Sequence, residues 1–260
     1  MRENKVKRAL QRGETVIGTM ITEVRNPAIA QILAVAGFDF MFIDMEHGSY
    51  NMETVADIIQ AARLAGICPL VRVPNPEYHL MSRPLDAGAQ GLMIPRVETV
   101  EQVEHIVAST KYPPTGQRGC SVLRGHSDYQ REKVKGFIER MDAENLVILQ
   151  IERKRAIENI DDLVSVPGVD AAVIGPNDLS ISLGVPGQMD HPLLRESIDR
   201  VIDACRRRGV ASGIHIGNME ALKGWMRKGM RFIAYSTEVS FILGAGKAAV
   251  DELRAEAKSL

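Results

Sequence analysis

Short, continuously apolar runs alternate along the chain with segments whose apolar positions recur every three to four residues, the helical period. Eight of the runs read as strands: residues 15–21, 38–45, 68–74, 91–96, 146–152, 169–175, 210–217 and 231–238. Most are apolar throughout rather than alternating, as parallel strands covered on both faces should be. Turn residues punctuate the helical stretches between them. Asn26-Pro27 opens one, with asparagine suited to the cap and proline to the first turn. Gly37, Gly66, Gly88, Gly209 and Gly229 each close one just before a strand, where a left-handed cap favours a residue without a Cβ. Eight strand–helix units are the number that closes a barrel, so the chain is predicted to be an α/β protein, one (β/α)8 TIM barrel spanning residues 1–260.

Two stretches exceed a minimal barrel. Residues 112–145 form an insertion after the fourth strand–helix unit, with Pro113-Pro114, Gly116 and a charged helix expected near 129–144. A loop of that length at strand ends is more often functional than idle. Residues 245–260 read as a polar amphipathic helix that caps the barrel or docks on a neighbouring subunit.

Composition narrows the partner. Hydrophobic residues make up 45% and charged residues 25%, with a net charge of −1. No Lys/Arg block marks a nucleic-acid or membrane surface, which leaves a small molecule. Cys68, Cys120 and Cys205 give neither a disulfide framework nor a zinc motif. No run approaches the roughly 18 apolar residues that span a bilayer, and residues 1–12 lack the apolar core of a signal peptide. A cytoplasmic protein is expected.

In this fold the active site lies at the carboxyl ends of the strands. There the second run ends in Asp44-Met45-Glu46-His47, the third in Arg72, the fifth in Gln150-Ile151-Glu152 and the sixth leads to Asn177-Asp178. Glu152 and Asp178 suit a hard divalent cation with open positions for water and a chelating 2-oxo acid; singly, each also reads as an ordinary acid at a helix start. Gly175-Pro176-Asn177-Asp178 opens a helix expected over 178–183, whose free amides could cradle a carboxylate, although Pro176 cannot donate. Arg72 could stabilise a developing enolate oxygen, or simply pair with Asp44 or Glu46. His47 is the candidate base, with Asp44 or Asp86 as the carboxylate that would hold its tautomer. None of the eight runs contains a lysine for Schiff-base chemistry, and no nucleophile elbow, Walker loop or dinucleotide fingerprint occurs.

At these residues the sequence resembles the class II pyruvate aldolases, the 4-hydroxy-2-oxoheptanedioate aldolase (HpcH/HpaI) family. The likeness runs from Gly18 to the last strand. It is carried by Gly37-Phe38-Asp39 with Ile43-Asp44-Met45-Glu46-His47, by Pro69-Leu70-Val71-Arg72-Val73-Pro74, and by Leu85-Asp86-Ala87-Gly88-Ala89. Lys111-Tyr112-Pro113-Pro114 with Arg118-Gly119, then Gln150-Ile151-Glu152 and Gly168-Val169-Asp170 leading to Ile174-Gly175-Pro176-Asn177-Asp178-Leu179-Ser180 complete it.

The resemblance implies a barrel of the phosphoenolpyruvate/pyruvate type that cleaves a 4-hydroxy-2-oxo acid reversibly to pyruvate and an aldehyde. It implies His47 as base, Asp44 and Asp86 as its orienting acids, and Arg72 on the enolate. It further implies Glu152 and Asp178 on Mg2+, Mn2+ or Co2+, and Gln150, Asn177, Asp178 and Arg72 on the substrate. A homohexamer that exchanges C-terminal helices is also implied, as is a place in aromatic or sugar acid catabolism. Four positions depart from the family's pattern. Arg153-Lys154 stand where a small hydroxyl residue and arginine are usual, Asn177 where alanine is frequent, and His215 where an apolar residue is more common; His215 reads as a satisfied core histidine or, second, as a substrate contact. Hydroxypyruvate as donor, decarboxylation of a 2-oxo acid, or a catalytically silent structural barrel are the competing readings. Phosphosugar chemistry is weaker, since no Gly-rich phosphate loop follows the seventh or eighth run.

Overall fold

The computed structural model describes residues 2–260. Eight strands pair in parallel, each with the next and the last with the first: β1 Val16–Ile21, β2 Phe40–Asp44, β3 Cys68–Arg72, β4 Gly91–Ile94, β5 Leu146–Ile151, β6 Ala171–Ile174, β7 Ala211–Ile216 and β8 Phe232–Thr237. Most are a residue or two shorter than the apolar runs, because the run continues into the turn that leaves the barrel. The helices are α1 Lys5–Gln11, α2 Ala28–Val35, α3 Met52–Ala65, α4 Tyr78–Ala87, α5 Val100–Thr110, α6 Val134–Glu144, α7 Lys154–Glu158, α8 Ile160–Leu163, α9 Pro176–Ser182, α10 Pro192–Arg208, α11 Met219–Arg227 and α12 Glu238–Ala257.

The two faces of each strand bury different cores. Ile43, Val71, Leu149, Ile174 and Ile214 point outward, into the layer shared with the helices. Met20, Phe42, Leu70, Met93, Ile148, Val173 and Phe232 point inward and fill the barrel. Since successive side chains on a strand alternate, the inward set continues at the mouth with Thr22, Asp44, Arg72, Gln150, Glu152, Gly175 and His215. The apolar filling below is the floor on which these polar groups stand.

A short helix closes the other end. In α1, Asn4 caps the first turn by accepting from the Lys7 amide at 3.0 Å, and Val6 joins the inner core. Lys7 is buried there, with its ammonium on Asp170 at 2.9 Å and on the Asn145 carbonyl at 2.9 Å. The sequence reading passed over this helix and took residues 1–12 only as a polar lead.

The insertion over 112–145 corrects another expectation. It follows α5, so it starts from the end of the barrel opposite the mouth and packs along the outside of α4. Tyr112, Phe137 and Met141 form a small core of their own. Arg118 is fully buried, stacks over the Tyr112 ring at 4.8 Å and binds the Asp86 carboxylate at 2.6 Å. Its helix begins at Val134, later than the charged pattern suggested.

The tail departs as well. Helix α12 starts directly after β8, capped by Thr237, and not at residue 245. Phe241 stacks on Phe38 and meets Tyr235, at centroid separations of 6.0 and 5.7 Å. Only Glu238 of this helix is buried, and from Ile242 onward it leaves the barrel with Ile242, Leu243, Val250 and Leu253 exposed. No helix is long and apolar enough to cross a membrane among the described residues.

Candidate active site

The carboxyl ends of the strands meet around a cavity of about 260 Å3, lined by Asp44, His47, Arg72, Gln150, Asn177, Asp178 and His215 among others. A buried ion pair sits on its floor. Asp44 ends β2 and Arg72 ends β3, and these two residues are register partners. The guanidinium donates from Nε to Oδ1 at 2.8 Å and from Nη2 to Oδ2 at 2.6 Å, a two-bond fork that fixes both side chains. Burial opposes the Arg72 charge, but the hydrogen bond to Asp44 and the charges of Asp44, Glu46 and Glu152 outweigh it, so its pKa stays above the usual arginine range. Nη1 reaches Glu46 at 3.3 Å. Pairing with Asp44 and Glu46, one of the two sequence readings of Arg72, is therefore present, and it leaves the guanidinium on the cavity wall.

Asp44 also builds the loop that carries His47. Its Oδ1 accepts from the amides of Glu46 at 3.0 Å and His47 at 3.4 Å. The turn is tight enough that a Cβ on Gly48 would lie 2.2 Å from the Asp44 carbonyl oxygen. Asp44 thus orients the backbone of His47, while the exposed imidazole itself makes no hydrogen bond among the described residues.

Asp86 is not beside His47. It lies near the carboxyl end of α4, two residues before the left-handed cap at Gly88, and helices of a barrel run away from the mouth. Its half-exposed carboxylate belongs to Arg118, and its carbonyl accepts from His126 Nδ1 at 2.8 Å. Within one chain the expected His47–Asp86 pair does not form.

Glu152 stands one residue beyond β5, buried. Its Oε1 accepts from the Arg96 amide at 2.8 Å, and its Oε2 accepts from the Gln150 side chain. Burial raises its pKa, the Arg96 hydrogen bond opposes that, and the charges of Glu46 and Asp178 raise it further. The Asp178 charge therefore reaches Glu152. Gly175 makes room for this carboxylate: a Cβ there would lie 2.9 Å from Glu152 Oε2 and 3.0 Å from Gln150 Nε2. The Gln150 carbonyl oxygen is buried with no hydrogen-bond partner.

This donor set fits a hard cation. Two carboxylates and an unpartnered amide oxygen are oxygen ligands, and the acidic crowding that penalises Glu152 is what a divalent ion would relieve. Among the described residues no group of three or more His, Cys, Asp or Glu side chains is arranged for a metal, so an ion here would rest on two acids and leave positions for small ligands. Asp178 lies in the first turn of α9, which starts at Pro176, earlier than the reading placed it.

Arg96 and Glu238 were missed in the sequence. Arg96 follows β4 with φ +55, a left-handed conformation that is costly for a residue with a side chain. That conformation aims its amide at Glu152, and its guanidinium binds Glu46 at 3.0 Å and the Pro74 carbonyl. The signal was available, since Arg96 is a charge ending an apolar run like the others. Buried Glu238 gathers the amides of Thr22, Glu23 and Val24 at 2.8, 2.7 and 3.1 Å, and so shapes the loop after β1 at the rim.

A larger cavity, about 620 Å3, adjoins the first and shares Pro176, Asn177 and His215 with it. Arg153 and Lys154 open α7 away from both.

Comparison with known proteins places the whole barrel beside named relatives. A family profile described as HpcH/HpaI aldolase/citrate lyase matches residues 19–244. A hydroxypyruvate/pyruvate aldolase of Roseobacter denitrificans is 33% identical over 244 residues, covering 94% of each chain. A 4-hydroxy-2-oxo-heptane-1,7-dioate aldolase of Escherichia coli is 32% identical over 259 residues, covering 99% of this chain and 98% of its own. The crystal structure of an HpcH/HpaI aldolase from Desulfitobacterium hafniense superposes with a TM-score of 0.91 at 34% identity, covering 95% of this chain and 96% of the other.

Proposed function

The chain belongs to the HpcH/HpaI aldolase/citrate lyase family and is a carbon–carbon lyase, and on that premise we propose that its mouth cleaves a 4-hydroxy-2-oxo acid reversibly to pyruvate and an aldehyde with the help of a divalent cation. The observation that carries the reading is one cavity lined by a clamped arginine, an imidazole without a hydrogen bond, Gln150 and Asp178, with the buried Glu152 carboxylate bound to Gln150 behind it. Glu152 and Asp178 would hold the ion, which when bound supplies positive charge beside the 2-oxo group. Magnesium, manganese and cobalt are the candidates.

The chain's own residues then divide the work. His47 takes the proton of the C4 hydroxyl, C4 becomes the aldehyde carbonyl, and the C3–C4 bond breaks. The electron pair passes to C3 and the C2 oxygen as an enolate, and Arg72, already immobilised by Asp44, donates to that oxygen. The proton held on His47 returns to C3 and yields pyruvate. Gln150, Asp178 and the backbone at Asn177 orient the substrate.

Pyruvate release from a panel of 4-hydroxy-2-oxo acids, before and after removal of divalent ions by a chelator, tests this. Release that stops on chelation and returns with Mg2+, Mn2+ or Co2+ is expected; no release from any acid with any ion would leave a silent barrel. In the same assay His47→Ala should lower aldol cleavage about 100-fold, within the range for a lost general base. Oxaloacetate decarboxylation, which needs no hydroxyl deprotonation, should change far less. Equal losses would remove His47 from the role of hydroxyl base.

The proposal includes a homo-oligomer, of which a hexamer is the expected form. Its support is α12, which presents Ile242, Leu243, Val250 and Leu253 to solvent, while α2 leaves Ile32 and Val35 uncovered on the barrel's flank. Apolar surface of this kind is covered in a stable assembly. Leu243→Lys combined with Leu253→Lys should reduce the assembly to smaller species in sedimentation velocity, and a monomeric parent protein would refute the point. Asp86 keeps a role only in that setting: from the outer flank of one barrel it could meet only the His47 of another. A reducing, cytoplasmic setting is supported by Cys68, Cys120 and Cys205, all free.

A further inference from the structure

We propose that His215 is the hydroxyl acceptor of this pocket and makes the enzyme selective for substrates bearing a hydroxyl group next to a reacting carbon. The proposal rests on the aldolase reading above and concerns the substrate class of that same site.

His215 is an inward residue of β7, in the layer that holds Asp44, Arg72 and Gln150, and it lines both the mouth cavity and its larger neighbour. Just below it, Gly213 lets β7 crowd β8, since a Cβ there would lie 2.1 Å from the Phe232 carbonyl oxygen. The imidazole is held by one bond, from Nε2 to the Ser236 carbonyl oxygen at 2.9 Å. A carbonyl oxygen can only accept, so the proton sits on Nε2 and the lone pair on Nδ1. Ser236 is itself fixed: its φ is +57, left-handed for a residue with a side chain, and its carbonyl also accepts from Thr19 Oγ1 at 3.2 Å.

Nδ1 makes no hydrogen bond among the described residues, and it is not one of the sealed, unpartnered polar atoms either. What exposure the residue has is to the cavities it lines. Burial also lowers the pKa of His215, which keeps the ring neutral and Nδ1 an acceptor.

Of the other polar groups in the lining, the Gln150 oxygen, His47 and Asp178 are open but assigned above to the cation, the C4 hydroxyl and the substrate, and three more are engaged in other ways. Arg72 donates, Asp44 is consumed by Arg72, and Thr237 Oγ1 already caps the Ser240 amide. A neutral nitrogen acceptor in such a pocket selects a group that donates. A carboxylate would face it lone pair to lone pair, and a methyl group would strip its water without replacing the bond. A hydroxyl group satisfies it. The chemistry is shared by a 3-hydroxy-2-oxo donor, hydroxypyruvate in place of pyruvate, and by a 2-hydroxyaldehyde acceptor.

Condensation rates with two donors and two acceptors decide the matter: pyruvate or hydroxypyruvate, each with acetaldehyde or glycolaldehyde. The parent protein should favour at least one hydroxylated partner in kcat/KM by about ten-fold, as one buried hydrogen bond gives. His215→Leu should erase that ratio while activity with pyruvate and acetaldehyde persists. His215→Asn, whose amide oxygen can take the place of Nδ1, should keep part of it. A shift confined to the donors assigns the hydroxyl to the donor, and one confined to the aldehydes assigns it to the acceptor; either supports the proposal. Should His215→Leu fail to fold, the parent ratios and His215→Asn still decide. A parent that uses all four combinations equally well remains an aldolase and removes this role from His215, whereas a parent that condenses none overturns the aldolase reading itself.

Discussion

Glu152→Gln should reduce aldol turnover by about three orders of magnitude or more, the several kcal/mol that a catalytic ion supplies, while folding as well as the parent. The side chain is isosteric, and the amide oxygen can still accept from Arg96. Gln150 can turn its amide to present the oxygen that has no partner in the acid form. Only the charge is lost. Burial and the acids Glu46 and Asp178 already penalise that charge in the ion-free protein, so the ion-free variant should melt no lower than the ion-free parent. Calorimetric titration should show the cation's affinity reduced together with turnover. A variant that keeps its turnover within ten-fold would mean that the acid pair does not hold the ion.

Arg72→Leu should fail in both respects. In the proposed reaction its guanidinium donates to the developing oxyanion, and loss of one preorganised donor typically costs about 100- to 1,000-fold in kcat. KM should move much less, because the interaction grows only as the enolate forms. Stability should drop as well, since Asp44 is fully buried and would lose both bonds of the fork. Removing one partner of a buried pair costs about 3–5 kcal/mol, which for a chain of this size lowers the melting midpoint by roughly 10 °C. Arg72→Lys keeps the charge but not the fork, and it should recover part of the stability with little of the rate. Separate measurement of kcat, KM and the thermal midpoint checks all three statements; an unchanged kcat in Arg72→Leu would remove Arg72 from the chemistry.

Much of the barrel was legible because a strand buried on both faces must be apolar throughout, and a charge at its end is then conspicuous. Asp44, Arg72, Gln150, Glu152 and Asp178 were found by that contrast and do gather at one mouth. Arg96 ends the run 91–96 and obeys the same rule, but its part in holding Glu152 depends on a left-handed backbone that the sequence does not announce. Asp86 does not meet the His47 of its own chain, and the sequence holds the reason. The glycine cap two residues later marks the end of α4 remote from the mouth, so Asp86 could not reach His47 of its own chain. The insertion over 112–145 was misjudged for the same reason: a segment entered from the end of a helix begins at the far side of the barrel.

Helix α1 stayed hidden because its apolar stripe, Val6 with Ala9 and Leu10, is short and set among lysines and arginines. The ligand preference of His215 was out of reach as well. A histidine within a strand says nothing of which nitrogen carries the proton until the carbonyl that takes it is known.

Glu238 has a consequence for the quaternary state. It is the first residue of the arm that leaves the barrel, and the same carboxylate clasps three amides of the loop after β1, at the lip of the pocket. A pull on that arm therefore reaches the lip through the first turn of α12, where the Glu238 carboxylate and the Phe241 ring both tie it to the barrel. If the arm holds the proposed assembly together, separating the subunits should slacken the entrance too, so that solitary barrels would be leaky vessels rather than smaller copies of the working enzyme.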